Sequence, residues 1–530
     1  MLCVLYGCAS NSHCGQLLSI GRGKCTIIQR PVSESAILER LNSRQAHSST
    51  LACVKGEPSE LAVEAGACAC CSAIISLSNN KFTRRMDAIL KKYCQATAVL
   101  LLLSTANFLH AQETQSLVAI DADVDQRYQL IANDGRVRTA LQQIFQREPD
   151  AITEQIALTE IPAPPFKEEK RAAYFLQQIQ SRGLENAYTD DEGNVIGLRK
   201  GSGAGPTLLI AAHLDTVFPE GVDTSVRLVN NRYYAPGIGD DTRGLAALLS
   251  VIDVLNESGI ETEGDIMFAG NVGEEGRGDL RGIKAIFRDH PEIDGFVSID
   301  GVTLRRITTG GTGSRRFEFH FKGPGGHSFG AFGLASAIHA MGRAITKIAE
   351  FETPDFPKTT FTVGTVTGGT SVNSIAADAI FALDMRSNDR EELEKLEVRA
   401  KAAALQAVAE ENARWDSSEI TVEFILIGDR PVGLTPSSAP LVQVAALAFD
   451  TIGINLQQLG ISSTDSNVPM SLGIPAITIA SGGEGGGAHS PDEWFSPMNS
   501  HRGPQTALLI VLAMVGIEGL SEALLAERTP

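Results

Sequence analysis

The sequence predicts an α/β protein in which a mostly parallel sheet, covered on both faces, is interrupted by a smaller α+β unit. Three observations predict it. Short apolar runs ending in polar residues alternate with helical spacing on either side of residues 308–428. Within that interval the element order changes to β-α-β-β-α-β. Finally, 530 residues with 43% hydrophobic and 20% charged side chains exceed one ordinary domain and suffice for two or three sizeable cores.

The amino-terminal part differs in kind from the rest. All nine cysteines lie between Cys3 and Cys94. Residues 1–111 hold 11 basic and 6 acidic side chains, net +5, whereas the remainder holds 34 and 57, net −23. The formal charge of −18 argues against a general binder of nucleic acid or anionic membranes. From Met86, the basic pair Lys91 and Lys92 followed by ATAVLLLLSTANFL (96–109) reads as a secretory signal over residues 86–111, with cleavage after Ala111. The apolar stretch is short for a membrane span, which needs about 18 to 20 residues. An uncleaved anchor is the alternative. Residues 1–85 then read as an unstructured extension ahead of the signal, from a misassigned start or a discarded leader. CACC (68–71) lacks a second ligand pair at zinc-finger spacing, and a small cysteine-rich metal module is the other reading. The expected mature chain is exported to the periplasm or the exterior, cysteine-free, and without a stable membrane span.

Residues 112–307 form the first part of the large domain. Residues 137–185 read as helix, a Pro-rich break (EIPAPPFKEE) and an amphipathic helix (KRAAYFLQQIQSRG). Then come the apolar runs TLLIAAHLD (207–215), GDIMFAGNVGEE (264–275) and GFVSID (295–300), with IPAITIASGG (474–483) later. Between the first two, Leu245, Leu248, Leu249, Ile252 and Leu255 recur at helical spacing. Ligands on such sheets gather at the carboxyl ends of the strands. His213, Asp215, Glu274, Glu275 and Asp300 all lie at such ends.

Residues 308–428 contain strands at RRFEFHFKG (315–323), TTFTVGTVTG (359–368), AIFALDMRS (379–387) and EITVEFILIG (419–428). Helices at 334–351 and 389–413 complete a ferredoxin-like split βαβ unit. The large domain resumes over residues 429–530.

Several strand-end groups have the chemistry of metal ligands. His213 and Asp215 offer an imidazole and a carboxylate that can orient it. Asp240 and Asp241 sit in the turn PGIGDDTRG, Glu274 and Glu275 are adjacent, Asp300 ends a strand, and His489 lies in GGEGGGAHS. Two imidazoles and several carboxylates suit zinc or a similar cation. The glycine-rich stretch 482–487 lacks the lysine of a phosphate-binding loop, and its place before His489 suits close approach of backbone to a metal site.

The ordered series AAHLDTV, GIGDDTRG, GNVGEEGRG, SIDG, KGPGGHSFG, GGTSVNSIAAD, LDMRS, SSTDSNVPMSLGIP and GEGGGAHSPDEWF resembles the co-catalytic zinc peptidases and deacylases. That family includes peptidase T, carboxypeptidase G, succinyl-diaminopimelate desuccinylase and aminoacylases. The resemblance runs from about Val137 to Leu520. It implies a zinc-peptidase (phosphorylase/hydrolase-like) catalytic domain with the small unit inserted as a lid or dimerisation domain. It implies two Zn²⁺ per chain, with Co²⁺ or Mn²⁺ as substitutes. Asp240 would bridge them, His213 and Asp300 would complete one site, and Glu275 and His489 the other. Glu274 would be the general base, and Asp215 would orient His213. A cis peptide would follow Asp240. His327 would reach the partner subunit's active site in a homodimer and stabilise the oxyanion. Asn373 and Arg386 would contact substrate, Arg386 binding a carboxylate in bidentate fashion. Thr464 and Asp465 lie in a matching loop near the substrate, without an assigned role. His290, His320, His339 and His501 match no motif and read as structural.

The activity so implied is that of an exported, peptidase T-like exopeptidase cleaving short peptides through a metal-bound hydroxide. Asp300, where several deacylases of the resembled family have Glu, favours peptidase over N-acyl amino acid deacylase. Which end of the peptide is attacked stays open. A non-catalytic binding protein on the same fold and a signal-anchored interaction protein are the remaining alternatives.

Overall fold

A computed structural model describes residues 117–203 and 205–528, together with the strands Leu17–Gly21 and Lys24–Ile28. The expected signal segment and the CACC run lie outside the described residues. The chain divides into a unit over Met1–Gln112 and a unit over Glu113–Pro530. In the first, the two strands pair antiparallel from Leu17↔Ile28 to Gly21↔Lys24. Five residues apiece are too few to show the sustained period sought in the sequence, which is why 1–85 read as unstructured.

The second unit is built on a nine-stranded sheet. Its order is Gly433–Leu434, Arg306–Gly311, Ala476–Ile479, Ile293–Ile299, Thr207–His213, Asp265–Asn271, Val195–Arg199, Glu185–Thr189, with Gln458–Ser462 also paired to Arg306–Gly311. The four central strands, from Ala476–Ile479 to Asp265–Asn271, run parallel. They are the four apolar runs expected from the sequence, and almost every residue in them is buried. The sheet is mixed rather than mostly parallel, because both flanks add antiparallel pairs. The Asp190–Asn194 turn explains one flank. Asp190 Oδ1 accepts the backbone N–H groups of Glu192, Gly193 and Asn194, and so short a connection can join only antiparallel strands.

Helix Thr242–Glu257 buries Leu245, Leu248, Leu249, Ile252 and Leu255 in the principal core, each with almost no exposure. Burial of such side chains stabilises the fold by about 1.5–3 kcal/mol apiece. Helix Arg502–Val515 is buried nearly throughout and shares that core. Before the sheet stand three helices, Ala122–Asn133, Gly135–Gln146 and Glu148–Thr159, where the sequence pattern showed one. Asp134 breaks the first join, because its carboxylate accepts from Arg136 N and Val137 N and caps the next helix. Pro149 at the start of the third marks the other join.

The inserted unit has a four-stranded antiparallel sheet in the order Thr359–Gly368, Asp378–Ser387, Gly313–Lys322, Thr421–Arg430. Helices Ala337–Ala349 and Arg390–Arg414 cover one face. Phe317, Phe319 and Phe321 alternate inward with Phe381, Leu383 and Met385, and Phe319 stacks on Phe381 at 4.5 Å. This is the ferredoxin-like arrangement. The chain crosses between the two sheets near Thr312 and Pro431, and the Asn467 side-chain amide donates to both carbonyls, each at 2.9 Å. No helix among the described residues is long and apolar enough to cross a membrane.

Candidate metal centre

The parallel strands deliver their polar residues to one edge of the large sheet. His213 closes its strand, Asp300 directly follows Ile299, and Glu274 and Glu275 follow the strand that ends at Asn271. Asp240 arrives from the loop ahead of helix Thr242–Glu257, and His489 from the loop ahead of Trp494. Three groups of potential ligand atoms result, each with its members within 4.8 Å of one another. They are His213–Asp240–Asp300, Asp240–Glu275–His489, and His213–Glu274–Glu275. Asp240 belongs to the first two and lies between the imidazoles, with Oδ1 at 3.0 Å from His213 Nε2 and Oδ2 at 3.3 Å from His489 Nε2. Glu275 Oε1 is 2.9 Å from the same His489 atom. The Asp240–Asp241 peptide is cis.

Asp215 is completely buried, and its carboxylate faces His213 as expected while taking further partners. The nearest acceptor to His213 Nδ1 is the Asp215 carbonyl oxygen at 3.1 Å, while the carboxylate stands at 3.7 Å. The carboxylate also accepts Glu274 N–H at 3.1 Å and Glu275 N–H at 2.8 Å, which fixes the turn carrying both glutamates. One peptide donor falls on each carboxylate oxygen, which leaves acceptor capacity towards His213, and no sequence spacing reveals these donors.

Glu274 is set apart from its neighbour by Arg430. The guanidinium reaches Glu274 Oε1 at 3.2 Å, binds the Glu274 carbonyl, and touches Ser463 Oγ at 3.0 Å. Burial raises the Glu274 carboxyl well above its usual range, with the Arg430 charge opposing. Burial, then the nearby Asp240 carboxylate, pushes Asp300 up to about 7. For His489 the hydrogen bonds to Asp240 and Glu275 dominate and raise it to about 10. So many carboxylates around two imidazoles form a donor set that divalent cations fit, since their charge offsets the mutual repulsion.

Glu493 was not singled out by the sequence. Its carboxylate accepts from Gly237 N at 2.9 Å, Gly239 N at 2.8 Å and Asp240 N at 3.0 Å, clamping the loop that presents Asp240. Gly237 has φ +76°, a conformation that favours glycine in this loop. Arg430 was likewise missed, as was Asn467. The signal available for Glu493 was its place in SPDEWF, four residues after His489, which spacing alone does not connect to residue 240.

A cavity of about 690 Å³ opens on the cluster. Asp240, Glu274, Glu275, Asp300, His489, Thr464 and Arg386 all line it. Asp465 is buried behind it, bonded to Asn271 at 2.8 Å. His327 and Asn373 do not line it. Both are exposed on a tip of the small domain, where Gly326–His327 pairs with Ser374–Ile375 and Ser328 N–H donates to the Asn373 carbonyl. His327 Nδ1 accepts from Phe329 N and Gly330 N, each at 3.2 Å, which leaves Nε2 as the outward N–H donor.

Residues 209–512 match the sequence profile of peptidase family M20/M25/M40. A Pyrococcus abyssi protein named as a LysW-lysine/LysW-ornithine hydrolase is 35% identical over 150 residues, which is 28% of this chain and 40% of that protein. The chain thus matches less than half the length of that relative. Among solved structures, aminopeptidase PepT from Bacillus cereus superposes with a TM-score of 0.56 at 22% identity, covering 69% of this chain and 98% of PepT. The Bacillus subtilis protein YxeP, described as a dinuclear metal-binding peptidase, gives 0.53 at 16% identity over 69% of this chain and 98% of its own. At these identities the superpositions establish the fold, a catalytic domain with a second sheet domain.

Proposed function

The chain belongs to peptidase family M20/M25/M40, whose members are dinuclear metal hydrolases, and we propose that it is an exopeptidase acting on short peptides. The observation that carries this reading is the shared position of Asp240 between two groups of ligand atoms, beside a glutamate held off by an arginine. His213, Asp240 and Asp300 would hold one cation, and Asp240, Glu275 and His489 the other. Such a pair, zinc or a substitute such as cobalt or manganese, would supply Lewis acidity and lower the pKa of a water molecule in the site.

The chain's own residues do the rest. Glu274, raised by burial and oriented through Oε1 by Arg430, accepts the proton of the attacking water and returns it to the leaving amine. Asp215 holds the Glu274–Glu275 backbone, and Glu493 holds that of Asp240, so neither cluster relies on a free loop. Arg386, on the cavity wall, would take a substrate carboxylate. His327, with Nε2–H directed outward, would act on the partner's site in a homodimer, with Asn373 beside it. Export belongs to the same proposal, supported by the basic and apolar run within residues 86–111.

The second reading is an N-acyl amino acid deacylase or related amidohydrolase, favoured by the named hydrolase relative from Pyrococcus. Assay of the zinc-reconstituted protein on di- and tripeptides and on N-acyl amino acids decides between them. Hydrolysis of peptides, absent from the metal-stripped protein and restored by zinc, is the expected result. Hydrolysis confined to N-acyl amino acids selects the deacylase, and zinc-independent turnover overturns both.

A further inference from the structure

Arg306 has no part in the chemistry above, yet it stands where a ligand would meet it. It opens the strand Arg306–Gly311, is exposed, and lines the same cavity as the metal cluster. Among the described residues its guanidinium forms no ion pair or side-chain hydrogen bond. Its direction is set by the neighbouring strand. Gly460 leaves a groove for its stem, because a Cβ there would lie 2.3 Å from Arg306 Cδ and 3.0 Å from Nε.

The small domain contributes two further arginines to the cavity. Asp384 accepts from the Nε of both Arg316 and Arg386, each at 2.8 Å. Arg316 also donates Nη1 to the Gly276 carbonyl. Arg386 uses Nε alone, leaving its terminal amino groups for a ligand. The acidic side chains lining the cavity are Asp240, Glu274, Glu275 and Asp300, whose four charges two divalent cations would cancel. Arg306, Arg316, Arg386 and Arg430 then face two further carboxylates, Asp384 between Arg316 and Arg386 and Asp465 buried behind the cavity. With both cations bound the cavity would therefore carry a net positive charge, although the chain as a whole is acidic.

We propose that the cavity selects substrates whose leaving amino acid carries two carboxylates, with Arg386 holding the α-carboxylate and Arg306 the side-chain carboxylate. The substrate class is peptides or N-acyl compounds ending in glutamate or aspartate. A guanidinium matches a carboxylate in charge and fork geometry, which gives the preference both strength and direction. This inference rests on the hydrolase reading and narrows it.

The test compares substrates that differ by one charge and almost nothing in shape, Ala-Glu against Ala-Gln and N-acetyl-Glu against N-acetyl-Gln, on the zinc-loaded full chain. The acidic member should be favoured about tenfold or more in kcat/KM, mostly through KM. In Arg306→Gln the ratio should fall towards one. Gly460→Ala, which displaces the arginine without removing its charge, should lower it as well. Each ratio is taken on one preparation, so a partly folded variant does not distort it. As a readout independent of turnover, calorimetry should show glutarate binding more tightly than its monoamide, with that preference lost in Arg306→Gln. Equal rates for both members in the native chain, or a ratio unchanged in both variants, overturns the inference and leaves the hydrolase reading intact. If no substrate is hydrolysed while the glutarate preference persists and depends on Arg306, the anion site stands and the hydrolase reading falls.

Discussion

The large sheet is buried on both faces, whereas the small sheet is covered by helices on one, and their ionisable groups differ accordingly. At the carboxyl ends of the large sheet, Asp215, Glu274 and Glu275 are almost inaccessible, and burial drives Glu274, Asp300 and Asp465 towards their neutral forms. On the open face of the small sheet, ionisable side chains pair while still half-exposed, across strands in Arg316–Asp384 and along one strand in His320–Glu318. Such half-exposed surface pairs contribute little to stability. The small sheet is instead held by its aromatic layer, with Phe319 between Phe381 and Phe424. Chemistry is thus concentrated where desolvation is greatest, and the domain that supplies Arg386 remains a conventionally packed support.

Four experiments test that division. The largest effect is expected from Glu274→Gln, which should lower kcat by about 10²–10⁴-fold while elemental analysis finds the metal content unchanged. Normal turnover in this variant would remove the proposed base. Next, Phe381→Ala should cost about 3–5 kcal/mol in urea unfolding by opening a cavity in the small core, without weakening metal binding by the folded fraction. A parallel loss of metal affinity would mean that the two cores are not separable in this way.

Glu493→Gln should weaken metal binding about 10–100-fold in a zinc titration, because the loop presenting Asp240 loses a carboxyl group that accepts three of its backbone N–H bonds. The smallest effect concerns Asp465. Burial raises its carboxyl to about 6, outweighing the hydrogen bond from Asn271, so the folded state holds the proton more tightly than the unfolded chain does. Its favourable contribution is present below about pH 4 and is lost as the pH rises to about 6. Asp465→Asn should therefore flatten the stability profile of metal-stripped protein over that window and raise stability at pH 7, read in urea unfolding. An unchanged profile would show that Asp465 is solvated more fully than its surroundings suggest.

Legibility in the sequence followed locality. The four central strands could be read because an apolar run ending in a polar residue is one continuous stretch, and it carries His213, Glu274, Glu275 and Asp300 to the sheet edge. The small domain was readable for the same reason, its alternation in 315–323 and 379–387 being unbroken. Arg430, Glu493 and Asn467 were not readable. Their partners lie far along the chain, Glu274 at 156 residues from Arg430 and Gly237 at 256 from Glu493. Asp215 was recognised beside His213, but its two peptide donors were not, since peptide N–H groups have no sequence signature.

By itself the sequence determined the fold class, the order of elements, and the donor types available at the strand ends, because periodicity and composition act within a few residues. The resemblance already implied a shared Asp240, but only the tertiary structure decided that its two oxygens face His213 and His489, that Arg430 sets Glu274 apart from Glu275, and that Arg306 joins Arg386 in one cavity. Those outcomes depend on which strands become neighbours and which loops converge on a common edge. That is a property of the sheet order and its burial of charge, and no single segment of the chain contains it.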